Sequence, residues 1–346
     1  MKELILHVGT HKSGSTFIQD SLAKFGNKQL EEDSIYFIDK PKFYYYGIGK
    51  LDSYDKNLAS KITKELDDIV NSNMNINKFI LSNEWFCGDP EIGYSNAKYI
   101  AKTLAVATNK FSVKIVIVLR RQDDFVESMY TQLIHQGGYI KFNEFLSGIK
   151  NNWYNWDHLV SSFQSEFKSS EILPIIYSAD KSIFNIQSVF SEIIKSDGYR
   201  AFKMDRNRLN VGYSALALEV ALGLNRFLTK NSKKDLRIYL QSTYSKKKGD
   251  HYAFFSTQER VKFYENYFDS NIKLFNRYKI AQNINVFDLD LVKELKFKKN
   301  KVEIADVFEV VGPWLASKIE SPKKSKWYLR KEKLKKLFKT VHKKLF

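Results

Sequence analysis

The segment Gly9-Thr-His-Lys-Ser-Gly-Ser-Thr16 packs two glycines, a lysine and several hydroxyls into eight residues. Glycine lets a backbone curl close around an anion. Ser13, Ser15 and Thr16 add hydroxyl donors, Lys12 adds a full charge, and His11 stands where it could touch a phosphate or sulfate. The chemistry on offer is the capture of a phosphate-like group, with Gly14 leading into the element that follows. The common nucleotide loop, G-x-x-x-x-G-K-[ST], sets its lysine directly after the second glycine. Here Ser15 takes that position and the lysine lies inside the loop. A plain tight turn would account for the glycines, but not for the lysine and hydroxyls together.

Two other stretches carry chemical groups. In "KIVIVLRRQDDFVESMYTQ", Arg120-Arg121 end a β-branched run and Ser128 stands eight residues after Arg120. A guanidinium is a planar fork of donors suited to phosphate. Either arginine could serve, and ion pairing with Asp123 and Asp124 is the structural alternative. In "KFILSNEWFCGDP", Glu84 follows an apolar run and has Trp85 beside it. A carboxylate there could take a proton from a reacting hydroxyl, and an indole could stack on a sugar. His7, His11 and His135 are the histidine candidates for the same task. His7 lies in an apolar run and reads as core, and His135 closes a helical stretch, where a cation is favoured anyway.

These groups need elements to hold them. "ELILHV" (3–8) reads as a buried strand and "STFIQDSLAKF" (15–25) as a helix, so the loop joins strand to helix. Further strands are expected at 34–38, 78–84, 112–119 and 171–177, and helices at 56–70, 96–108 and 123–136, the last N-capped by acidic residues. Strands alternating with helices predict an α/β fold with a parallel sheet. Ligands in such sheets bind beyond the carboxyl ends of the strands. After about residue 205 the pattern turns helical, with long helices at 213–228 and 257–278. The expected organisation is an α/β core over 1–205, a helical part over 206–320, and a basic amphipathic tail over 321–346.

The loop resembles the 5′-phosphosulfate loop of sulfotransferases that use 3′-phosphoadenosine 5′-phosphosulfate (PAPS). That loop commonly reads Lys-[ST]-Gly-[ST]-[ST], and Lys12-Ser13-Gly14-Ser15-Thr16 matches it position by position. The family's second signature is a strand-end arginine with a serine eight residues on, which together hold the 3′-phosphate. Arg120 and Ser128 have that spacing, which favours Arg120 over Arg121, and "SMYTQ" resembles the SxYxQ run of glycan sulfotransferases. The resemblance is specific over residues 3–25 and 113–132, looser between them, and slight in the C-terminal third. It implies a P-loop-like three-layer fold with a central parallel sheet. It implies PAPS as co-substrate, adenosine 3′,5′-bisphosphate as product, no metal, and Lys12 at the bridge between phosphate and sulfate. Glycan-directed members often use a glutamate after a strand as base, where the small-molecule enzymes use histidine. Glu84 is therefore the expected base, and a carbohydrate or glycolipid the expected acceptor.

The formal net charge is +17, which suggests an anionic partner, with solubility alone as the other reading. The last 26 residues hold eleven Lys/Arg and one Glu, so they supply +10 of it. The rest is mildly basic, and a nucleic-acid-coating surface is not expected. In the tail, Trp327, Leu334, Leu337, Phe338, Val341 and Leu345 recur at helical spacing among lysines. That is the pattern of a helix in an anionic membrane interface, which predicts peripheral association through residues 322–346. A helix packed on its own domain and an arm for an acidic glycan share the pattern. Basic loops at Arg206, Arg208 and 245–250 could touch a nucleotide or a glycan, or be solvated. The single cysteine, Cys87, excludes an internal disulfide. With no signal-like leader and no run of eighteen apolar residues, the expected home is cytoplasmic. A P-loop kinase would need lysine after the second glycine and a Mg²⁺-holding aspartate after a strand. A non-enzymatic basic adaptor would explain the tail but not the paired phosphate motifs.

Overall fold

Five strands form one parallel sheet in the order β2-β3-β1-β4-β5. They are β1 (Glu3–Gly9), β2 (Ile35–Phe37), β3 (Lys78–Ser82), β4 (Ser112–Arg120) and β5 (Glu171–Tyr177). This computed structural model describes residues 1–178, 185–204, 212–245, 253–280, 287–294 and 303–320. Arg206, Arg208, residues 246–250 and the tail from 321 lie outside the described residues.

β1 runs between β3 and β4, pairing Leu6 with Leu81 and with Ile115. Consecutive residues Leu4, Ile5 and Leu6 are all fully buried, so both faces of the sheet are covered. That double burial explains the continuous apolar runs, where a one-sided sheet would alternate. On one face α1 (Ser15–Phe25) sends Ile18 and Leu22 against Ile5, Val116 and Val118. Burial of side chains of this kind contributes roughly 1.5–3 kcal/mol each. Pro174 lies in β5 at the sheet's edge, where a missing N–H costs least.

The other long helices are α2 (Lys56–Ser72), α3 (Ala97–Ala107), α4 (Gln122–His135), α5 (Trp156–Glu166), α6 (Ile186–Ile194), α7 (Ala215–Leu224), α8 (Lys230–Thr243), α9 (Thr257–Tyr278) and α10 (Ile304–Glu320). The chain divides into two compact units. The first takes the described parts of Met1–Leu133, Ile140–Leu209 and Ala253–Lys299, and holds the sheet and the described candidate residues other than His135. α9, in the helical part expected to complete the fold, lies in this unit, where its Arg260 is buried against Asp123, Asp124 and Glu127. The second unit contains α7, α8 and α10. There Asn225 donates to the carbonyls of Ile134 and Gly138 at 3.0 and 2.9 Å, and Tyr239 Oη donates to the carbonyl of Val310 at 3.1 Å.

Two local expectations need correction. β3 ends at Ser82, and Glu84 opens a 3₁₀ turn (Glu84–Cys87) capped by Asn83, whose side chain accepts the Trp85 N–H at 2.9 Å. The acidic residues before "FVESMY" do not cap α4: the helix starts earlier, at Gln122, and the Asp123 carboxylate is taken by Arg121 and Arg260. Among the described residues no helix is long and apolar enough to cross a membrane.

Candidate functional site

The connections out of β1 and β4 run in opposite directions across the sheet, so the crevice between their carboxyl ends is the switch point where such folds place ligands. The loop leaves β1 at this crevice. Thr10 is tied to β4 twice, through its N–H at 3.0 Å and its hydroxyl at 2.8 Å, both donated to the carbonyl of Val118. Ser13 N–H then donates to the Thr10 carbonyl at 3.2 Å. Lys12 is held in the left-handed region with φ 63°, a conformation costing a non-glycine residue about 1–3 kcal/mol and concentrated at functional sites. Gly14 follows at φ 91° and caps α1 without a side-chain hydrogen bond. Its Cα lies so close to Tyr177 and Ile186 that an added Cβ would stand 3.3 and 3.2 Å from them.

The two motifs meet. Arg120 Nη1 donates to the Lys12 carbonyl at 3.1 Å, across 108 residues of chain. The guanidinium lies over the Tyr177 ring at 5.6 Å, and its buried Nε has no protein partner among the described residues. Arg121, the rival, is buried in the ion pair with Asp123 and turned away from such a role. Lys12 reaches the other way, its Nζ donating to Gln132 Oε1 at 3.3 Å. Gln132 stands four residues after Ser128 on α4, so both lie on one face of that helix. Ser128 is half-buried on the face that meets the loop lysine.

Glu84 is brought in by α1. Gln19, one turn after Ser15, donates from Nε2 to Glu84 Oε2 at 3.2 Å, and to the Ser82 carbonyl at 3.2 Å. His11 lies in the field of Glu84, its ring edge-on to Trp85 at 4.9 Å. Tyr94 Oη accepts the His11 N–H and meets Nδ1, each at 3.1 Å. Burial pushes the His11 ring down to about 4, against the opposing pull of Glu84 and Asp89. Cys87 is buried and its thiol is pushed up by that burial, so it is not poised as a nucleophile.

The polar lining fits an anionic ligand. Ser15 Oγ is buried without a protein partner, and so is His11 Nε2. A Cβ at Gly9 would stand 2.0 Å from Ser15 Oγ, so only glycine leaves that hydroxyl its place. Thr16 is exposed at the mouth of the loop, and Ser13 is buried with its hydroxyl on the Thr10 carbonyl. Lys12, His11, Ser13, Gly14, Ser15, Thr16, Arg120 and Glu84 thus share one neighbourhood, with Ser128 on the adjoining helix face. His135 lies in the other unit, against Tyr213. Gln132 closes the SMYTQ run noted in the sequence, whereas Gln19 and Tyr94 were not singled out there. The spacing of four from Ser15 to Gln19 was the available signal for Gln19. Among the described residues no group of three or more His, Cys, Asp or Glu could hold a metal.

His7 is wholly buried, and burial lowers its ring from 6.5 to about 4. The unfolded chain takes up this proton near 6.5 and the folded chain only near 4. Stability contributed by neutral His7 is therefore complete above pH 6.5 and falls as the pH drops toward 4, by about 3 kcal/mol in all. Urea midpoints at pH 7 and pH 4.5 should differ markedly less in His7→Gln than in wild type. Equal slopes would show that His7 is not the group responsible.

No protein-family model matches the chain. It is similar to an uncharacterized protein of Archaeoglobus fulgidus, with 27% identity over 198 residues, covering 55% of this chain and 52% of that protein. The chain therefore spans about half the length of this relative. No solved structure matches.

Proposed function

We propose that the protein is a PAPS-dependent sulfotransferase acting on a hydroxyl of a carbohydrate or glycolipid. The observation that carries this reading is the hydrogen bond from Arg120 to the Lys12 carbonyl. It joins the two segments that resemble the family's phosphate-binding signatures, at the end of the sheet where ligands bind. Residues 11–16 would hold the phosphosulfate end and Arg120 with Ser128 the 3′-phosphate. Bound there, PAPS supplies the sulfuryl group.

The chain's own residues have separable tasks. The Lys12 ammonium and the hydroxyls of Ser15 and Thr16 offset negative charge at the loop. Glu84, half-buried beside His11 and oriented by Gln19, takes the acceptor's proton. Exposed Trp85 offers an apolar edge to an acceptor. The basic segment 322–346 is proposed to bring the enzyme to an anionic membrane face, where a glycolipid would be met.

Calorimetry with adenosine 3′,5′-bisphosphate tests the reading. Binding is expected without Mg²⁺, and Lys12→Ala and Arg120→Ala should each weaken it about 10- to 100-fold, the loss of a hydrogen bond to a charged group. Strictly Mg²⁺-dependent binding of ATP instead would make the protein a kinase. Binding of neither nucleotide would favour a non-enzymatic adaptor.

A further inference from the structure

In the second unit, apolar side chains stand in water at the corner between α7 and α8. Phe227, in the 3₁₀ turn Asn225–Phe227 that joins the two helices, is 77% exposed. Tyr139 is 53% exposed and Ile238, on α8, 57%. The three belong to one corner. Asn225 donates to the carbonyl of Gly138 at 2.9 Å, which sets Tyr139 beside the turn that carries Phe227. Lys233 donates to the carbonyl of Gly137 at 2.8 Å, and its ammonium lies 5.6 Å from the centre of the Tyr139 ring. Ile238 closes the exposed row Lys230, Lys234, Ile238 along α8, each one turn from the next.

The corner is held in place from inside. Asn225 is buried and also donates to the carbonyl of Ile134, so one side chain fixes both chain segments. Thr229 caps α8 by accepting the Ser232 N–H at 3.3 Å. Leu236 and Leu240 are buried, which turns the row ending in Ile238 outward. Single exposed apolar residues are ordinary on a protein surface. Here they come with cations. From Asn225 to Leu240 the chain has five basic residues and one acid, Asp235. The Arg226 guanidinium lies 5.4 Å from the centre of the Phe227 ring, as the Lys233 ammonium lies over Tyr139. Aromatic bodies flanked by long cationic side chains suit a membrane interface. The rings enter the boundary layer while the charged heads stay at the level of the phosphates.

We propose that this corner is a docking surface for an anionic lipid membrane. Phe227, Tyr139 and Ile238 enter the interface, and Arg226, Lys230 and Lys234 pair with acidic headgroups. Charge complementarity selects the occupant. An acidic glycan or a nucleic acid would satisfy the cations and leave Phe227 and Ile238 in water, whereas an anionic membrane takes up both. The proposal depends neither on the sulfotransferase reading nor on the basic segment 322–346.

The test uses the full chain carrying the environment-sensitive fluorophore NBD on Phe227→Cys. Cys87 is buried, so labelling of the folded protein goes to the introduced thiol. Vesicles of phosphatidylcholine and phosphatidylglycerol in equal parts, or of phosphatidylcholine alone, are added at pH 7. The emission at position 227 is expected to shift to the blue with the mixed vesicles only, and to be quenched by nitroxide-labelled lipid. An aqueous spectrum at 227 on vesicles with which the protein has sedimented would overturn the proposal and leave segment 322–346 as the contact. Failure to sediment with the mixed vesicles would overturn it as well. A blue shift with a soluble acidic polysaccharide and none with vesicles would make the corner a glycan site instead. In sedimentation of the unlabelled chain, Phe227→Ser should lower partition about tenfold, the scale of one apolar side chain left in water, and Phe227→Trp should keep it. Equal partition of wild type and Phe227→Ser would count against the corner.

Discussion

Glu84→Gln should lower sulfuryl transfer by about 10²- to 10⁴-fold, the usual contribution of a positioned base, while nucleotide affinity stays as in wild type. Glutamine keeps the size of the side chain and an oxygen that can accept from Gln19, which now sits 3.2 Å from Glu84 Oε2. The 3₁₀ turn is fixed independently, by Asn83 on the Trp85 N–H and by the Glu84 backbone carbonyl accepting from Cys87 at 2.8 Å. The substitution removes basicity and leaves the architecture intact. Single-turnover rates paired with calorimetry on the same preparation separate the two quantities. Full turnover in Glu84→Gln would take the proton-transfer role from Glu84. His11, in the Glu84 field with a buried Nε2 lacking a protein partner, would then be the next group to examine.

Arg260→Met should destabilise the protein by about 3–5 kcal/mol, the loss seen when one partner of a buried ion pair is removed. Arg260 is fully buried on α9, donates to Asp123 and to Asp124 at 3.2 Å, and ion-pairs with Glu127 at 2.6 Å. Burial alone would raise the Asp123 carboxyl, but Arg121 and Arg260 outweigh it and hold the group below its ordinary value. Glu127 is less fully compensated and is pushed up by burial, although it also accepts the N–H groups of Phe254 and Phe255 at 2.8 and 3.2 Å. Methionine matches the stem but leaves two carboxylates without their main cation. Urea denaturation at pH 7 measures the loss, and a change below about 1 kcal/mol would mean that Arg121 suffices for Asp123. Arg260→Lys should recover little, because a point charge cannot serve three carboxylates with a planar fork.

Much of the fold was legible because its local and long-range preferences agree. α1, β5 and α9 begin and end at the residues expected from apolar spacing. At α9 the signal was doubled by a capping box, Ser256 with Glu259, written as S-x-x-E. α8 carries only Leu236 and Leu240 as buried residues on a highly polar stretch, so its periodicity was too thin to read. The acidic start of α4 misled for a different reason. Asp123 suits a cap locally, and a distant arginine outcompeted that local role. Of the site, the residues that face a ligand were visible through their chemistry. Gln19, Ser82 and Tyr94 were not, since each acts through a neighbour more than sixty residues away in sequence. Strand order, which decides where the crevice opens, depends wholly on such distant pairings.

Because Arg120 grips the Lys12 backbone, the two ends of the proposed nucleotide site are not thermodynamically independent. A charge lost at the strand end also releases the carbonyl that helps hold Lys12 in its left-handed turn. Free-energy changes measured for the two positions will therefore not sum, and the shortfall in a double-mutant cycle is the coupling between them. A ligand that fills only one end still organises the other. Fragments of the nucleotide should for that reason bind cooperatively, each raising the affinity for the other by the same factor.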